Sequence, residues 1–486
     1  MDAESINAVP SVIERDSPNP RRAAFEVPRH CPPLSRRRFL QRSSIAVASS
    51  SLAVHWPFVV TGQAAPDGPI RLGVIGCGAR GLGAASEALR AAANVRVVAL
   101  ADVFLDRLSR AREELAKASQ LIADDHCFAG FDGYQRLLAL PEVNYVVHAT
   151  PPGFRPGHLR AIVEAGKHCL LEMPVAVDPP GVRSVIESGE LARWKKLSLG
   201  VGTQRRHQDN YKETVKRLQA GAPGEILAGR AYAEVQGEGQ LTKPANLSDM
   251  EWQLRHWPYY AWLSGDPYVA QHVHNLDVLN WILRAHPVRA SGMGGRQVRT
   301  LGQVYDHFAV EYQYADGACL FSYTRQTDGC EDDVSETVVG TQGTSDCCQW
   351  IETRSGAAWK FPKQTTAPAA ARGDGGTNNG YVQMHADLIR AIRTGQSLNE
   401  AGMGADSTLT AIMGREAAYT GQPVEWDRIL NARLDLTPPR IEMGDVPVPA
   451  VPLPGSKHAS WSEPARRGTR RTGPLETPAV WPPRAF

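Results

Sequence analysis

The sequence predicts an α/β protein, in which a doubly wound parallel sheet is followed by an α/β domain with a large, mostly antiparallel open sheet. Between residues 70 and 201, short apolar stretches alternate with helix-like segments, a pattern typical of parallel strands joined by crossover helices. From about Gly224 onward, strand-like stretches are separated by glycine and aspartate turns, which is typical of antiparallel sheets. The predicted segments are a leader (1–66), a parallel-sheet domain (67–200), a second α/β domain (201–436) and a proline-rich extended tail (437–486).

Composition and charge exclude several classes of protein. The 486 residues include 53 Lys+Arg and 51 Asp+Glu, and because the two ends are basic, residues 65–436 carry a net charge of −4. Such a body attracts nucleic acid poorly, so we expect no nucleic-acid partner. The eight cysteines lack paired metal-ligand spacing, which indicates neither a disulfide scaffold nor a zinc module. A hydrophobic fraction of 42% suits a globular chain with a sizeable core.

The leader contains a pattern that resembles a twin-arginine (Tat) export signal. Arg36 and Arg37 precede Phe39-Leu40, a mildly apolar run and then small residues around Ala64. The run is too short and too polar to span a bilayer, which needs about 20 apolar residues. We expect the chain to use the Tat export machinery and to act in the periplasm or another extracytoplasmic place; a basic leader without an export role is the alternative.

The first predicted strand and helix enclose a glycine motif. The strand Ile70–Ile75 runs into Gly76-Cys-Gly78-Ala-Arg-Gly81, and an Ala- and Leu-rich helix follows over Ala84–Ala93. In a dinucleotide site of this kind the first glycine permits a tight turn, the second lets the backbone approach a pyrophosphate, and the third lets helix pack on strand. The free N–H groups of the helix N-terminus favour phosphate. The motif therefore predicts a Rossmann domain over 67–200.

The second predicted strand ends in a carboxylate that favours NAD. Asp102 follows Gly76 by 26 residues, near the spacing at which an acid binds the adenosine ribose hydroxyls. A carboxylate there repels a 2′-phosphate, so we expect NAD rather than NADP. Arg80 and Arg107 keep NADP open as the alternative.

The alternation continues through the rest of the parallel-sheet domain. The predicted strands are 145–149, 168–171 and 196–201, and the predicted helices are 158–165 and 178–194. Ligands bind beyond the carboxyl ends of such strands. The second domain has its own predicted strands at 226–235, 308–314, 318–324 and 337–340, and predicted helices at 271–283, 381–393 and 406–419.

Taken together, these segments resemble the glucose–fructose oxidoreductase/inositol dehydrogenase (Gfo/Idh/MocA) family. The matching stretches are 74–81, 101–103, 149–152, 165–168, 172–174, 272–284 and 414–418. The resemblance implies a Rossmann domain, a second domain whose open sheet forms a homo-oligomer interface, a tightly held nicotinamide cofactor, and hydride transfer to or from a carbohydrate or polyol.

Three positions depart from the family pattern. The family usually reads Glu-Lys-Pro where this chain has Met173, and it carries an acid four residues before His274 where this chain has Ala270. Met384 stands where related chains often have an acid. Neither Met nor Ala can transfer a proton, so two or three of the usual proton-handling groups are missing.

The remaining polar residues supply a candidate site. His274 is the candidate general base, because an imidazole titrates near neutral pH, and Asp277, one helical turn on, is the candidate that orients it; a core histidine and a helix-side hydrogen bond are the alternatives. Arg205, Tyr211 and His385 are the candidate substrate-binding residues. The candidate cofactor-binding residues are Gly76, Gly78, Arg80, Gly81, Asp102, Thr150, Pro151, His158 and Glu172. No metal site is expected.

Three functions remain open from the sequence. The first is an exported NAD-dependent oxidoreductase acting on a sugar or sugar derivative. The second, an NAD-dependent glycosidase, oxidises a hydroxyl transiently, eliminates the glycosidic oxygen and returns the hydride. The third is a binding protein that kept the fold and lost turnover, which the residues at positions 173 and 270 favour.

Overall fold

The computed structural model describes residues 67–237, 241–362 and 379–455. The predicted leader, with Arg36 and Arg37, and residues 456–486 of the predicted tail lie outside this described part. Within it, no helix is both long and apolar enough to cross a bilayer. The predicted domain bounds remain a prediction.

The first half forms a six-stranded parallel sheet in the order β3-β2-β1-β4-β5-β6. Its strands are β1 (Ile70–Ile75), β2 (Val95–Asp102), β3 (Cys127–Ala129), β4 (Tyr145–His148), β5 (His168–Leu171) and β6 (Leu199–Val201). Parallel strands are buried on both faces and therefore read as continuous apolar runs, as in the buried strand β4. The order reverses beside β1, where such sheets bind their ligands.

The helices of this half are α1 (Ala79–Ala91), α2 (Leu105–Lys117), α3 (Gly133–Leu138), α4 (Arg155–Glu164) and α5 (Pro179–Trp194). Helix α1 begins at Ala79 rather than at the predicted Ala84, because Gly78 is extended and acts as the N-cap. Helix α5 begins where predicted, since the Asp178 carboxylate accepts a hydrogen bond from the Gly181 N–H at 2.8 Å.

The second half contains a nine-stranded sheet in the order β14-β13-β12-β11-β7-β10-β9-β8-β15. Its strands are β7 (Ile226–Val235), β8 (Arg289–Gly295), β9 (His307–Gln313), β10 (Cys319–Gln326), β11 (Asp333–Gly340), β12 (Gly343–Ser345), β13 (Trp350–Thr353), β14 (Ala358–Lys360) and β15 (Val424–Glu425). Strands β7 and β10 pair in parallel, whereas both pair antiparallel with their other neighbours. The predicted fold class is confirmed.

Eight α-helices accompany this sheet within the described residues of the second half. They are α6 (Asp209–Gln219), α7 (Asp249–Arg255), α8 (Ala261–Ser264), α9 (Pro267–Ala270), α10 (Val273–Leu283), α11 (Gly380–Thr394), α12 (Ala401–Thr420) and α13 (Trp426–Leu430). Helix α12 is buried along almost its whole length. It packs close to the sheet because Gly414 has no side chain, and a Cβ there would lie 2.1 Å from the Tyr312 Oη atom.

Helix α11 joins the two halves. Its Met384, Leu388 and Ile389 belong to the same buried apolar cluster as Leu72 and Val74 of β1. A late segment of the chain thus covers part of the parallel sheet, so the two halves share a core and the cleft between them is held in one geometry.

Candidate functional site

A cavity of about 1040 Å³ lies at the carboxyl edge of the parallel sheet. The turns that follow β1, β2 and β4 line it, together with Met173, residues of α4 and α5, and Trp257 from the second half. These turns meet at one edge because all the strands run in the same direction. The cavity is therefore the binding site that the strand order predicts.

The glycine turn after β1 forms one wall of this cavity. Gly76 has a φ of 94°, and a Cβ there would lie 2.7 Å from the Thr150 N atom. A Cβ on Gly81 would lie 1.9 Å from the Gly76 carbonyl oxygen, whereas a Cβ on Gly78 would meet no atom within 4 Å. The backbone at Gly78 is therefore open to the cavity, and α1 begins directly behind it without a side-chain cap. This cradle fits a dinucleotide pyrophosphate.

Asp102 lies beside the glycine turn. Its two oxygens accept hydrogen bonds from the Cys77 N–H at 2.8 Å and the Phe104 N–H at 3.0 Å. Burial raises the pKa of this carboxyl, while the two N–H groups and Arg107 oppose the shift. Asp102 and Arg107 both line the cavity, so an acceptor for ribose hydroxyls and a cation suited to a 2′-phosphate stand at the same end.

Thr150, Pro151 and His158 line the cavity after β4. The His158 ring stacks on Tyr134, with 4.0 Å between the ring centroids. Its Nδ1 lies 3.2 Å from Nε2 of His148, which is also 2.9 Å from the Thr150 hydroxyl. Burial lowers the pKa of His158 to about 4, so both rings are neutral at pH 7. Sequence reasoning missed His148, because it lies inside a buried strand.

Glu172 lies behind the cavity wall and holds two arginines in place. One of its oxygens is 3.2 Å from Arg80 Nε, and Arg80 also pairs with Glu87. Arg155, which sequence reasoning missed, donates to the carbonyl oxygens of Thr150 and Glu172 at 2.9 Å each. Burial raises the pKa of Glu172, and Arg80 and Arg155 lower it. The structure thus pairs the buried Glu172 with Arg80, whose side chain is 35% exposed and lines the cavity.

Met173 lines the cavity and is 6% exposed. The position of the family's proton-handling lysine is therefore apolar in this chain. Ala270, at the end of α9, leaves the other expected position without an acid.

His274 lies in the first turn of α10 and is partly buried. Burial lowers its pKa to about 4, and the charges of Arg205 and Arg155 act in the same direction. The ring is neutral at pH 7, and with this lowered pKa it is a weaker base than the near-neutral imidazole on which the sequence prediction was based.

Asp277 does not bond to His274. Its carboxylate takes two hydrogen bonds from Arg206, at 2.8 and 3.0 Å, and a third from the Ser407 hydroxyl at 2.7 Å. With 2% exposure, Asp277 is placed to hold Arg206 and α12 rather than to orient the imidazole.

Arg205 and Tyr211 converge on Glu336 of β11. Arg205 forms an ion pair with this carboxylate, the Tyr211 hydroxyl donates to it at 3.2 Å, and Asn275 donates at 2.6 Å. The three donors come from separate parts of the chain, which is why Glu336 could not be found by spacing. The structure therefore brings Arg205 and Tyr211 together at Glu336, and His274 directly precedes Asn275, the third donor. These residues are named here the polar cluster.

His385 lies elsewhere. Its Nδ1 is 2.7 Å from the Tyr145 hydroxyl, the ring is fully buried, and burial lowers its pKa to about 3. It joins α11 to β4. Among the described residues there is no group of three or more His, Cys, Asp or Glu side chains that could hold a metal ion.

Comparison with known families gives two matches. Residues 70–203 match the family described as "Oxidoreductase family, NAD-binding Rossmann fold", and residues 211–346 match "GFO/IDH/MocA C-terminal domain". The two matches together cover more than half of the chain.

Curated proteins that are similar to this chain agree with the family match. The chain is 27% identical over 206 residues to inositol 2-dehydrogenase of Pseudomonas savastanoi pv. phaseolicola, covering 42% of this chain and 57% of that protein. It is 30% identical over 181 residues to a glycosyl hydrolase family 109 protein of Solibacter usitatus, covering 34% and 37%. The match thus spans little more than half the length of the first of these relatives.

Among solved structures, levoglucosan dehydrogenase in complex with NADH and levoglucosan is similar with a TM-score of 0.58. It is 16% identical, and the match covers 74% of this chain and all of that one. At this identity the likeness shows the fold.

Proposed function

The chain belongs to the GFO/IDH/MocA oxidoreductase family, and from that premise we propose that it is an exported NAD-dependent oxidoreductase acting on a sugar or sugar derivative. The observation that carries the proposal is the cavity in which an open glycine turn, a helix N-terminus and Asp102 converge. These are the three features that bind pyrophosphate and adenosine ribose. The proposal agrees with relatives that are named as inositol dehydrogenases.

The residues of the proposed site would have separate roles. The nicotinamide ring, when bound, supplies the hydride acceptor. Gly76 and Gly78 would hold the pyrophosphate, and Asp102 would accept from the ribose hydroxyls. His274 would take the proton from the substrate hydroxyl, because its ring is neutral at pH 7. Arg205 and Tyr211 would donate hydrogen bonds to the sugar.

We propose NAD rather than NADP, because the Asp102 carboxylate would repel a 2′-phosphate. Mass spectrometry of the ligand released from the purified, denatured protein tests this directly. Finding NADP alone would contradict it, and finding neither would contradict the function as a whole.

A glycosidase using transient oxidation is the second candidate. The apolar Met173 in the cavity wall and the similarity to glycosyl hydrolase family 109 proteins favour it. The two reactions differ in their cofactor balance: a dehydrogenase forms NADH with each turnover, whereas the glycosidase releases sugar with NAD unchanged. A binding protein would do neither.

Assays of a sugar panel separate these functions. NADH formation and sugar release are measured for the wild type, Met173→Lys, Ala270→Asp and the double variant. A restored acid–base group contributes about 10²–10⁴-fold, so a gain in NADH formation that His274→Ala abolishes would indicate a dehydrogenase site whose proton-handling groups were replaced. Rapid NADH formation by the wild type would contradict that idea, and sugar release without NADH would support the glycosidase.

We also propose export by the Tat route and homo-oligomerisation through the nine-stranded sheet. Replacing Arg36 and Arg37 with Lys should retain the precursor in the cytoplasm, and continued processing and export would contradict the export proposal. Light scattering of the purified protein tests the oligomer, and a monomer would contradict it.

A further inference from the structure

We propose that residues 433–455, named here the C-terminal strap, form an outer wall of the cofactor cavity and must detach before a dinucleotide can leave. Asp435, Thr437 and Ile441 of this segment line the cavity together with the glycine turn and Asp102. The strap lies beyond residue 346, where the second family match ends. The inference rests on the proposed function, since it assumes that the cavity binds NAD.

The beginning of the strap lies against helix α5. Just before the strap, Arg183 of α5 donates to the carbonyl oxygens of Leu430 and Ala432, at 2.6 and 2.9 Å, which fixes the point from which the strap starts. One oxygen of Asp178 caps α5, and the other accepts from the Leu436 N–H at 3.0 Å. The buried Asp178 carboxylate therefore fixes the first turn of α5, which lines the cavity, and also holds the strap where it crosses the cavity.

The middle of the strap is fastened to the segment around α7. The Val446 side chain is 7% exposed and belongs to a buried aromatic cluster that includes Trp252 and Trp262. The Gln253 amide donates to the Val446 carbonyl oxygen at 3.0 Å, and the Met250 N–H donates to the Gly444 carbonyl oxygen at 3.0 Å. The end is tied by the Tyr305 hydroxyl, which donates to the Pro452 carbonyl oxygen at 2.7 Å.

The same aromatic cluster holds the adenosine end of the cavity. Phe104, two residues after Asp102, is one of its members. Arg255 of α7 lies 4.0 Å from the Phe104 ring centroid and forms two hydrogen bonds with Asp106, at 3.0 and 3.1 Å. Trp257, just beyond α7, lines the cavity. The strap, helix α7 and the turn after β2 thus meet in one apolar cluster. Weakening the packing of Val446 in this cluster would therefore open the cavity wall at the adenosine end.

The chemistry of the strap suits a part of the cofactor without charge. Asp435 and Thr437 supply hydrogen-bond acceptors for hydroxyl or amino groups, and Thr437 also supplies a donor. Ile441 supplies an apolar surface. A carboxylate at this wall would repel a phosphate, so the strap faces the adenosine rather than the pyrophosphate. Because the strap would cover the adenosine rather than the reacting carbon, its effect should fall on the rate of cofactor release.

The test measures dissociation of NADH by stopped-flow fluorescence after mixing with excess NAD. Val446→Asp places a charge in the aromatic cluster, and we expect it to raise the dissociation rate by about tenfold or more. Val446→Ala should raise it by a smaller factor. The matched control is Val448→Asp, which makes the same change in the same strap at a side chain that is 47% exposed, and it should leave the rate unchanged.

Equal dissociation rates for both Val446 variants and the control would overturn the inference while leaving the proposed function intact. Failure of the wild type to bind NADH would overturn the proposed function instead. Circular dichroism of each variant without cofactor checks the fold, and if Val446→Asp does not fold, the comparison of Val446→Ala with the wild type decides.

Discussion

The cofactor cavity and the polar cluster around His274 are assembled in different ways. The glycine turn and Asp102 come from one strand–helix–strand unit of 33 residues, 70–102, and the features expected for a dinucleotide are present there. The cluster joins Arg205, His274 and Glu336, which lie far apart in the chain. Arg205 of the cluster and the neighbouring Arg206 are each paired with a carboxylate, and Met173 and Ala270 stand where the family pattern has two proton-handling groups. The comparison shows that the cavity carries groups that fit a dinucleotide, whereas two positions expected to handle protons are apolar in this chain.

The largest effect is expected in the glycine turn. Gly81→Ala places a Cβ 1.9 Å from the Gly76 carbonyl oxygen, so α1 must move away from β1. We expect a loss of about 1–3 kcal/mol or more in the free energy of unfolding and loss of NAD binding, measured by thermal unfolding and by NADH titration.

Gly78→Ala is the matched control for this change. A Cβ at Gly78 meets no protein atom within 4 Å, so stability should stay unchanged while NAD affinity falls, because the methyl group enters the space of the pyrophosphate. Normal NAD affinity in Gly81→Ala would show that this turn does not bind the cofactor.

The next largest effect is expected at His274, and it distinguishes the polar cluster from the cofactor cavity. His274→Ala should lower the rate of hydride transfer by about 10²–10⁴-fold and leave NADH binding unchanged, because the ring belongs to the polar cluster. His286→Ala, which removes an imidazole stacked on Trp426 beyond the end of α10, serves as control. If His274→Ala keeps the wild-type rate on an accepted substrate, another group takes the proton.

A smaller effect is expected at Asp102. Asp102→Ala should weaken NAD binding by about tenfold, the value of one lost charge-assisted contact. It should also reduce the difference in affinity between NAD and NADP. Asp124→Ala is the control, since Asp124 is an exposed carboxylate that pairs with Arg112 and is not among the residues that line the cavity. Equal affinity of the wild type for both cofactors would contradict this role of Asp102.

A further effect should be common to both regions. Burial lowers the pKa of His158, His168 and His274 to about 4, and of His272 and His385 to about 3, from an ordinary value of 6.5. The unfolded chain therefore binds more protons than the folded chain below pH 6.5. The stability contributed by the neutral rings is complete above pH 6.5 and is lost as the pH falls through about 4. Thermal unfolding from pH 7.5 to 4.5 should show a progressive decline; a constant midpoint would contradict it.

The sequence was sufficient for five strands of the parallel sheet and for its glycine turn. Gly76, Gly78 and Asp102 belong to one βαβ unit, where local spacing fixes their positions, and the five strands were recognisable as apolar runs, whereas the short β3 was not predicted. In the second sheet β7, β9, β10 and β11 were predicted from local strand and turn signals, whereas β8 and the short strands β12 to β15 were not.

Only the tertiary structure decided the partners of the remaining candidates. Asp277 bonds to Arg206 and Ser407 rather than to His274, which helical spacing had suggested. His385, predicted to bind substrate, bonds instead to Tyr145 across 240 positions of the chain. The tertiary structure also places the strap, which extends into the proline-rich tail, against the cavity. Such contacts depend on how helices and sheets pack, and buried polar groups take whichever partner that packing provides, because an unpaired one costs about 1–3 kcal/mol.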